Sequence, residues 1–262
     1  MKKITWIAVF AAMVLPLGAF ADQHVEAEQP APLTDVWMIV PKAGMDAKFT
    51  EAAKKHMAFR AKAGESRTWM AFRPVIGKKM NIVHFRACCF DYADQDAYIV
   101  EDEKLGLAAD WNKNVDPYVD HYHHYLEIND WENSHWPEGS NGPYYGATSW
   151  FWKEGAGPGP SEVRKEFSQI AKNEGWGEAG DGHNWLWLER IGGQPVLAIV
   201  SSFESYADMA PDEPSFFGFL SEKLGSAEKA SEMFAKFGAG FQSSDYTVWM
   251  YDAELSSPNR EE

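Results

Sequence analysis

The chain has 262 residues, with 39 acidic and 24 basic side chains and a formal net charge of −15. A protein so acidic repels nucleic acid and anionic lipid surfaces, which argues against both as partners. Its only two cysteines are adjacent, which excludes a framework of disulfides. The length allows one large domain or two small ones.

Residues 1–21 have the layout of a secretory signal peptide. Two lysines form a charged end, residues 4–17 form an apolar run, and the tripeptide AFA is a small-x-small cleavage site. The apolar run is short for a membrane span, and no charged stop-transfer flank follows it. We therefore expect cleavage by the Sec route, a periplasmic or secreted mature protein, and no membrane association after cleavage.

The first half of the mature chain alternates apolar runs with helical patterns. Residues 22–34 are polar and contain proline, which predicts a disordered tether. The order that follows is strand, helix, strand, strand, helix, strand, which is the ferredoxin-like βαββαβ unit. The predicted elements are strands at 36–40, 68–73, 80–90 and 121–128, and helices at 46–62 and from 91 to about 111.

The second half repeats this order after a connector at 131–145 that is rich in Gly, Pro, Asn and Ser. The segments NIVHFRACCFDYAD and PVLAIVSSFESYAD echo each other, and TWMAFRP matches NWLWLER. These collinear matches indicate an internal duplication, with repeats at 35–130 and 146–255 and a loose tail at 256–262. The predicted elements are strands at 147–152, 185–190, 195–203 and 246–253, with helices at 161–174, 206–209, 214–224 and 227–237.

Two tandem units of this layout resemble the dimeric α/β-barrel superfamily, which includes antibiotic-biosynthesis-type monooxygenases. The resemblance rests on the element order and the repeat, without a catalytic motif. It implies an α+β fold in which two antiparallel sheets, both from one fused chain, pack into one barrel with the helices outside. It also implies a small-molecule pocket, either between sheet and helices or inside the barrel. Members of the superfamily bind haem, degrade it or oxidise phenolic compounds, but a fold does not define a function.

Side chains alternate between the two faces of a strand, which assigns a candidate site to the barrel interior. In the third strand Val83, Phe85, Ala87 and Cys89 are expected to face the helices, as are their matches Val196, Ala198, Val200 and Ser202. The expected interior ligand-binding residues are Trp69, Arg73, Tyr125, Trp185, Trp187, Glu189, Trp249 and Tyr251. The candidate catalytic residues are His84, Arg86, His121 and His123. Each tryptophan could instead serve core packing.

Cofactor signals are weak in this sequence. Spacing by two on a strand can aim His121 and His123 at one ion, but no third ligand at diagnostic spacing is visible. We therefore predict no metal and no cofactor, with haem as the alternative. Two separate buried thiols are favoured for Cys88 and Cys89, because a disulfide between neighbours would distort the strand. No nucleophile elbow, kinase motif or dinucleotide fingerprint is present.

The main functional hypothesis is a secreted or periplasmic protein that binds a small apolar or aromatic ligand in an aromatic, His/Arg-containing barrel pocket. One alternative is a cofactor-light monooxygenase or haem-binding enzyme of the dimeric α/β-barrel type. Another is a structural or interaction protein with a fully packed barrel. Because both sheets come from one chain, the expected assembly is a monomer or a weak homo-oligomer.

Overall fold

The structure is a computed structural model that describes residues 30–177 and 183–258. The predicted signal peptide and most of the predicted tether lie outside these residues. The described strands are β1 (Leu33–Pro41), β2 (Met70–Ile76), β3 (Val83–Phe90), β4 (Val119–Asn129), β5 (Tyr144–Trp152), β6 (Leu186–Ile191), β7 (Val196–Phe203) and β8 (Phe241–Tyr251). The described helices are α1 (Asp46–Ala63), α2 (Tyr92–Leu105), α3 (Leu107–Asn114), α4 (Gly159–Asn173), α5 (Phe216–Lys223) and α6 (Ala227–Gly238).

The strands form one closed antiparallel barrel in the order β1-β3-β2-β8-β5-β7-β6-β4. Each repeat contributes a sheet of ferredoxin-like order, β4-β1-β3-β2 from the first and β8-β5-β7-β6 from the second. Pairing of β2 with β8 and of β4 with β6 joins the two sheets at two seams. Closure leaves none of the described strands with an unpaired edge. The predicted α+β fold, with duplicated ferredoxin-like units in one barrel, is confirmed.

The helices cover the outer surface of the barrel, and each repeat has its own hydrophobic core there. In the first repeat Phe49, Ala53 and Met57 of α1 pack against Val83 and Phe85 of β3. In the second repeat the helices α4, α5 and α6 supply a larger set of aromatic side chains to the equivalent core. Within the part of the chain that the structure describes, no helix is long and apolar enough to cross a membrane.

A glycine divides the long helix that the sequence predicts after Asp91. The Asp91 and Asp94 side chains form a capping box at the start of α2. Gly106 then ends the helix with a φ of 68°, in the left-handed region that glycine adopts without a Cβ penalty. The change of direction brings α3 against α1, where Asp110 meets His56.

Several side chains predicted for the barrel interior lie on its outer surface instead. Trp69, Ala71 and Arg73 share a face, as predicted, but Trp69 and Ala71 belong to the helix-covered core and Arg73 binds Thr50 of α1. In the second repeat Trp185 and Trp187 lie in the other helix-covered core. Glu189 binds Arg164 of α4. The prediction that Trp69, Arg73, Trp185, Trp187 and Glu189 line the interior is therefore wrong.

The faces of β7 are also the reverse of the prediction. Leu197 and Ile199 pack towards the helices, whereas Val196 and Ala198 form a separate cluster with Leu188. The sequence match aligned the two phenylalanines that end β3 and β7. The register of β1 against β3 shifts between Leu33 and Thr34, where Leu33 pairs with Phe90 and Thr34 with Cys88. This irregularity adds one residue to β3. Aligning Phe90 with Phe203 and assuming strict alternation therefore assigns the wrong face in one of the two repeats.

Cys88 and Cys89 form a disulfide, not the two separate buried thiols that the sequence favoured. The pair lies at the same irregularity, where Cys89 has no Cα partner on β1. Regular alternation of side chains, on which the prediction rested, does not hold there. The peptide bond between the two cysteines is cis.

The two ends of the described chain are packed more firmly than the sequence suggests. Leu33 and Thr34, assigned to the tether, are buried in β1. Leu255 is fully buried in the core of the first repeat, and the Ser256 hydroxyl accepts a hydrogen bond from Ala71 N at 2.9 Å. The polypeptide after β8 therefore closes over the first repeat.

We expect Leu255→Ala to lower the free energy of unfolding by about 2–5 kcal/mol, because it leaves a cavity in a fully buried core. Urea denaturation would measure the change. The matched control is Pro258→Ala, at an exposed position shortly after it, for which we expect a change within about 0.5 kcal/mol. Equal effects at both positions would contradict the packed end.

Candidate functional site

The first repeat contains a cleft of about 560 Å³ between the outer surface of the barrel and helices α1 to α3. Strands β1, β3 and β4 form its floor. Apolar surface dominates its wall, with a few polar groups, which is the usual form of a small-molecule site. Its aromatic side chains are Trp37, Trp69, Phe85, Tyr98, Trp111 and Tyr122.

Helix α2 is the roof of this cleft. Gln95, Tyr98, Ile99 and Asp102 have the i, i+3, i+4, i+7 spacing of one helix face, and all four line the cleft. The helix itself has no buried residue. Polar contacts hold it in place, including the hydrogen bond that Tyr98 OH donates to Glu65 Oε1 at 2.6 Å.

A buried ion pair fixes the inner wall of the cleft. Arg60 of α1 donates through Nε to Glu65 Oε2 at 2.7 Å and also binds Tyr98 through Nη2. Trp69 Nε1 donates to Glu65 Oε1 at 2.8 Å. Burial alone would raise the pKa of Glu65, but the hydrogen bonds and charge of Arg60 hold that pKa below its usual value. Glu65 is therefore a fully partnered carboxylate that orders two aromatic rings.

A second chain of hydrogen bonds ends at a histidine on the floor of the cleft. His124 Nε2 donates to Asp35 Oδ1 at 2.9 Å, and Arg67 donates to Asp35 Oδ2 at 2.8 Å. The His124 ring stacks on Trp37 with a centroid separation of 4.0 Å and an interplanar angle of 13°. Because the carboxylate can only accept, it assigns the proton to Nε2 and leaves the Nδ1 lone pair of His124 available.

A buried histidine, His56, lines both this cleft and a more open groove of about 600 Å³ between α1 and α3. His56 Nδ1 donates to Asp110 Oδ2 at 2.8 Å, and Arg60 Nη1 donates to His56 Nε2 at 3.0 Å. Burial lowers the pKa of His56, so the neutral imidazole is the favoured form. Both ring nitrogens are thus engaged by protein groups.

The equivalent space in the second repeat is filled by side chains. Phe167 of α4 contacts Phe216, Phe234 and Phe237, with ring centroids 4.9–5.7 Å apart. Trp150 packs on Phe237 at 5.1 Å. In the first repeat the corresponding helices present smaller or polar groups, such as Ala52, His56 and Ala108. The fused chain therefore has an open cleft in one repeat and a packed core in the other.

Most of the predicted catalytic and ligand residues lie elsewhere. His84 is buried inside the barrel, where its ring lies 4.9 Å from that of Trp249 and Tyr125 OH lies 3.3 Å from its Nε2. Arg86 lies 2.6 Å from Glu127 and forms an ion pair with it. The remaining interior residue of the predicted set, Tyr251, packs on Phe72. Of the predicted site residues, only Trp69 lines the cleft.

His121 and His123 lie on the exposed start of β4, with ring centroids 5.2 Å apart. Neither lines the cleft. Among residues 30–177 and 183–258, no group of three or more His, Cys, Asp or Glu side chains is placed to hold a metal ion.

Comparison with solved structures identifies the type of fold. No family model matches the sequence, and no curated protein matches it. A chlorite dismutase variant from Candidatus Nitrospira defluvii has a similar structure, with a TM-score of 0.50 and 7% identity over 87% of this chain and 93% of the other. The chain has the dimeric α/β-barrel fold. Here the barrel is a fused dimer, since both ferredoxin-like units belong to one polypeptide.

Two further solved structures are similar at lower TM-scores. One is a proposed monooxygenase from Lactobacillus acidophilus, with 8% identity over 84% of this chain and 94% of the other and a TM-score of 0.49. The other is a haem-binding protein from Thermus thermophilus, with 11% identity over 85% of this chain and 92% of the other and a TM-score of 0.42. At such low sequence identities and TM-scores, neither similarity bears on the function of this chain.

The main functional hypothesis, a binding protein with an aromatic barrel pocket, is corrected by the positions of its aromatic side chains. The tryptophans on which the pocket depended, Trp69, Trp185 and Trp187, lie between barrel and helices. The aromatic cavity lies outside the barrel and not within it.

An axially ligated haem does not fit the side chains of the cleft. Asp110 holds His56 Nδ1 in the way that orients metal-binding imidazoles, but the Nε2 lone pair already accepts a hydrogen bond from Arg60. His124 Nε2 is likewise engaged, because it donates to Asp35 Oδ1. The chemistry available to the cleft is that of a base, of aromatic surfaces and of paired charges.

Sequence reasoning missed Asp35, His56, Arg60, Tyr98 and His124 as site residues. One signal was present: the helices of the second repeat are rich in phenylalanine, whereas α1 to α3 carry alanine, histidine and arginine at comparable positions. Such a difference between duplicated units indicates where one copy leaves space. The face of α2 was harder to detect because its inward residues are mostly polar or aromatic.

The buried imidazole of His84 predicts a specific pH dependence of stability. Burial lowers the pKa of His84 well below 6.5, with Arg86 and Arg190 adding to the effect. Below about pH 6.5 this histidine binds a proton in the unfolded chain but not in the folded protein. The free energy of unfolding therefore falls as the pH decreases, by up to about 1.4 kcal/mol per pH unit for this group. We expect His84→Gln to remove that contribution. Urea titrations at about pH 7.5, 6.0 and 5.0 would measure it, and an unchanged pH slope would contradict the neutral buried ring.

Proposed function

We propose that the protein is a cofactor-light monooxygenase that oxidises a small, electron-rich aromatic compound in the cleft of the first repeat. The observation that carries the proposal is the His124–Asp35–Arg67 chain on the floor of an aromatic cavity. This arrangement suits proton abstraction from a ring-bound O–H or an acidified C–H group. A purely structural role would leave the open cleft and its available base without a use.

Asp35 sets the base properties of His124. Its carboxylate accepts a hydrogen bond from Nε2–H and would stabilise the imidazolium that forms when Nδ1 takes a proton from the substrate. Arg67 holds the other carboxylate oxygen and keeps Asp35 in place. Trp37, stacked on the imidazole, limits rotation of the ring. The substrate ring would lie against the remaining aromatic side chains.

The substrate supplies all the electrons in this reaction. For a CH₂ group flanked by aromatic rings, His124 removes a proton and the resulting carbanion reacts with O₂. The CH₂ group becomes C=O, one oxygen atom enters the product and the other leaves as water. The four electrons that the carbon loses are the four that O₂ gains. The protein's part is to bind, to take the proton and to exclude water.

The test is oxygen consumption with anthrone and hydroxylated anthrones, followed with an oxygen electrode and by product absorbance. We expect His124→Ala to lower kcat/KM by about 10²-fold or more, as loss of a general base does. The matched control is His183→Ala. His183 also stacks on a tryptophan, Trp176, at 4.1 Å, and also pairs with an aspartate, Asp212, at 3.0 Å, but it lies outside the cleft.

Equal losses in both variants, or none in either, would contradict His124 as the base. Haem titration of the purified protein provides an independent outcome. A Soret band that disappears in His56→Ala would contradict the cofactor-light proposal and favour the haem-using alternative.

We also propose that the enzyme acts after export, in the periplasm or outside the cell, as a monomer. The amino-terminal signal layout supports export. Closure of the barrel within one chain supports a monomer, since none of the described strands keeps a free edge for a partner. Cell fractionation and light scattering of the mature protein would test the two points separately.

A further inference from the structure

Charges that line the described cleft are matched in pairs, with one exception. Arg60 is paired with Glu65, and Asp35 is paired with Arg67. The remaining charged group of the cleft wall is Asp102, in the last turns of α2. Among the described residues no Lys, Arg or His side chain forms an ion pair with it.

The carboxylate of Asp102 lines the cleft close to the start of α3. It lies near the backbone N–H of Ala108, in the first turn of α3. Burial raises its pKa, although the Arg60 guanidinium acts in the opposite direction. The charged form is therefore incompletely compensated in the cleft, and a cationic group beside it would restore the balance.

Two aromatic rings of the cleft are in contact with arginine side chains. The Arg67 guanidinium carbon lies 3.8 Å from the Tyr98 ring centroid, and that of Arg60 lies 5.3 Å from the Trp69 ring centroid. Trp111, from α3, completes the aromatic wall near the roof. A ring-lined cavity with an uncompensated carboxylate is the chemistry that recognises an organic ammonium group.

We propose that the cleft selects aromatic compounds that carry an ammonium group and discriminates against aromatic carboxylates. Asp102 is the residue that sets this preference, pairing with the ammonium while the ring lies on the aromatic wall. The inference rests on the proposed function only for the identity of the cleft as a substrate site. Recognition itself is a binding property and can be measured without turnover.

The experiment is calorimetric titration of the mature protein with three probes of similar shape. These are 2-(2-naphthyl)ethylamine, 2-(2-naphthyl)ethanol and 2-naphthylacetate, which carry a positive, a neutral and a negative end. We expect the amine to bind about ten-fold or more tightly than the carboxylate, with the alcohol between them. This comparison needs no variant, so it does not depend on the folding of a mutant.

Asp102→Asn should reduce the affinity for the amine to about that for the alcohol and leave the affinity for the alcohol nearly unchanged. Asparagine has nearly the same size, keeps a side-chain oxygen acceptor and removes the charge. The matched control is Asp96→Asn, an exposed aspartate on the same helix, which should leave all three affinities as they are.

Tighter or equal binding of the carboxylate, or an unchanged amine preference in Asp102→Asn, would overturn the inference. Failure of this inference can be told apart from failure of the proposed monooxygenase activity. Amine binding that depends on Asp102, without any oxygen consumption, would retain the ligand class and remove the monooxygenase. Oxygen consumption that depends on His124, without any charge preference, would do the opposite.

Discussion

The structure depends on the closure of the barrel within one chain. The β2–β8 and β4–β6 pairings satisfy the outer strands of both sheets, so neither repeat needs a partner subunit for its edges. Closure also gives every strand an inner and an outer face, each of which must be filled. The inner faces meet one another, with Arg86 and Glu127 paired inside and Tyr125 beside His84. The outer faces meet helices, and there the two repeats differ.

Fusion of the two repeats allows this difference, because each copy can vary independently. Phenylalanines on α4 to α6 fill the second repeat, and burial of that much aromatic surface contributes strongly to stability. In the first repeat, α2 is held by polar contacts and buries none of its residues. The packed repeat can therefore stabilise the barrel while the other keeps a cavity. A symmetric pair of subunits could not separate these tasks.

Buried charges determine what the cavity can do. Glu65 accepts hydrogen bonds from Arg60, Trp69 and Tyr98, so a single carboxylate positions groups from α1, α2 and the residue before β2. Asp35 does the same for Arg67 and His124. A buried carboxylate of this kind is costly unless each oxygen is satisfied, and here the partners are also the walls of the site. The same constraint makes Asp102, which lacks a cationic partner among the described residues, the group that distinguishes one ligand charge from another.

By itself the sequence determined the order of elements and the duplication, because apolar periodicity and collinear repeats are local properties of the chain. The dimeric α/β-barrel fold was implied by the resemblance of this layout to a known superfamily. The sequence also placed Val83, Phe85 and Ala87 correctly against the helices. Only the tertiary structure showed that Trp69, Trp185 and Trp187 face the helices. The alternation of side chains along a strand predicts which residues share a face, but it does not predict whether that face meets the barrel interior or the helices. The tertiary structure alone brought His124, Asp35 and Arg67 together, since residues up to 89 positions apart meet only after β1 and β4 pair and the chain before β2 folds over them.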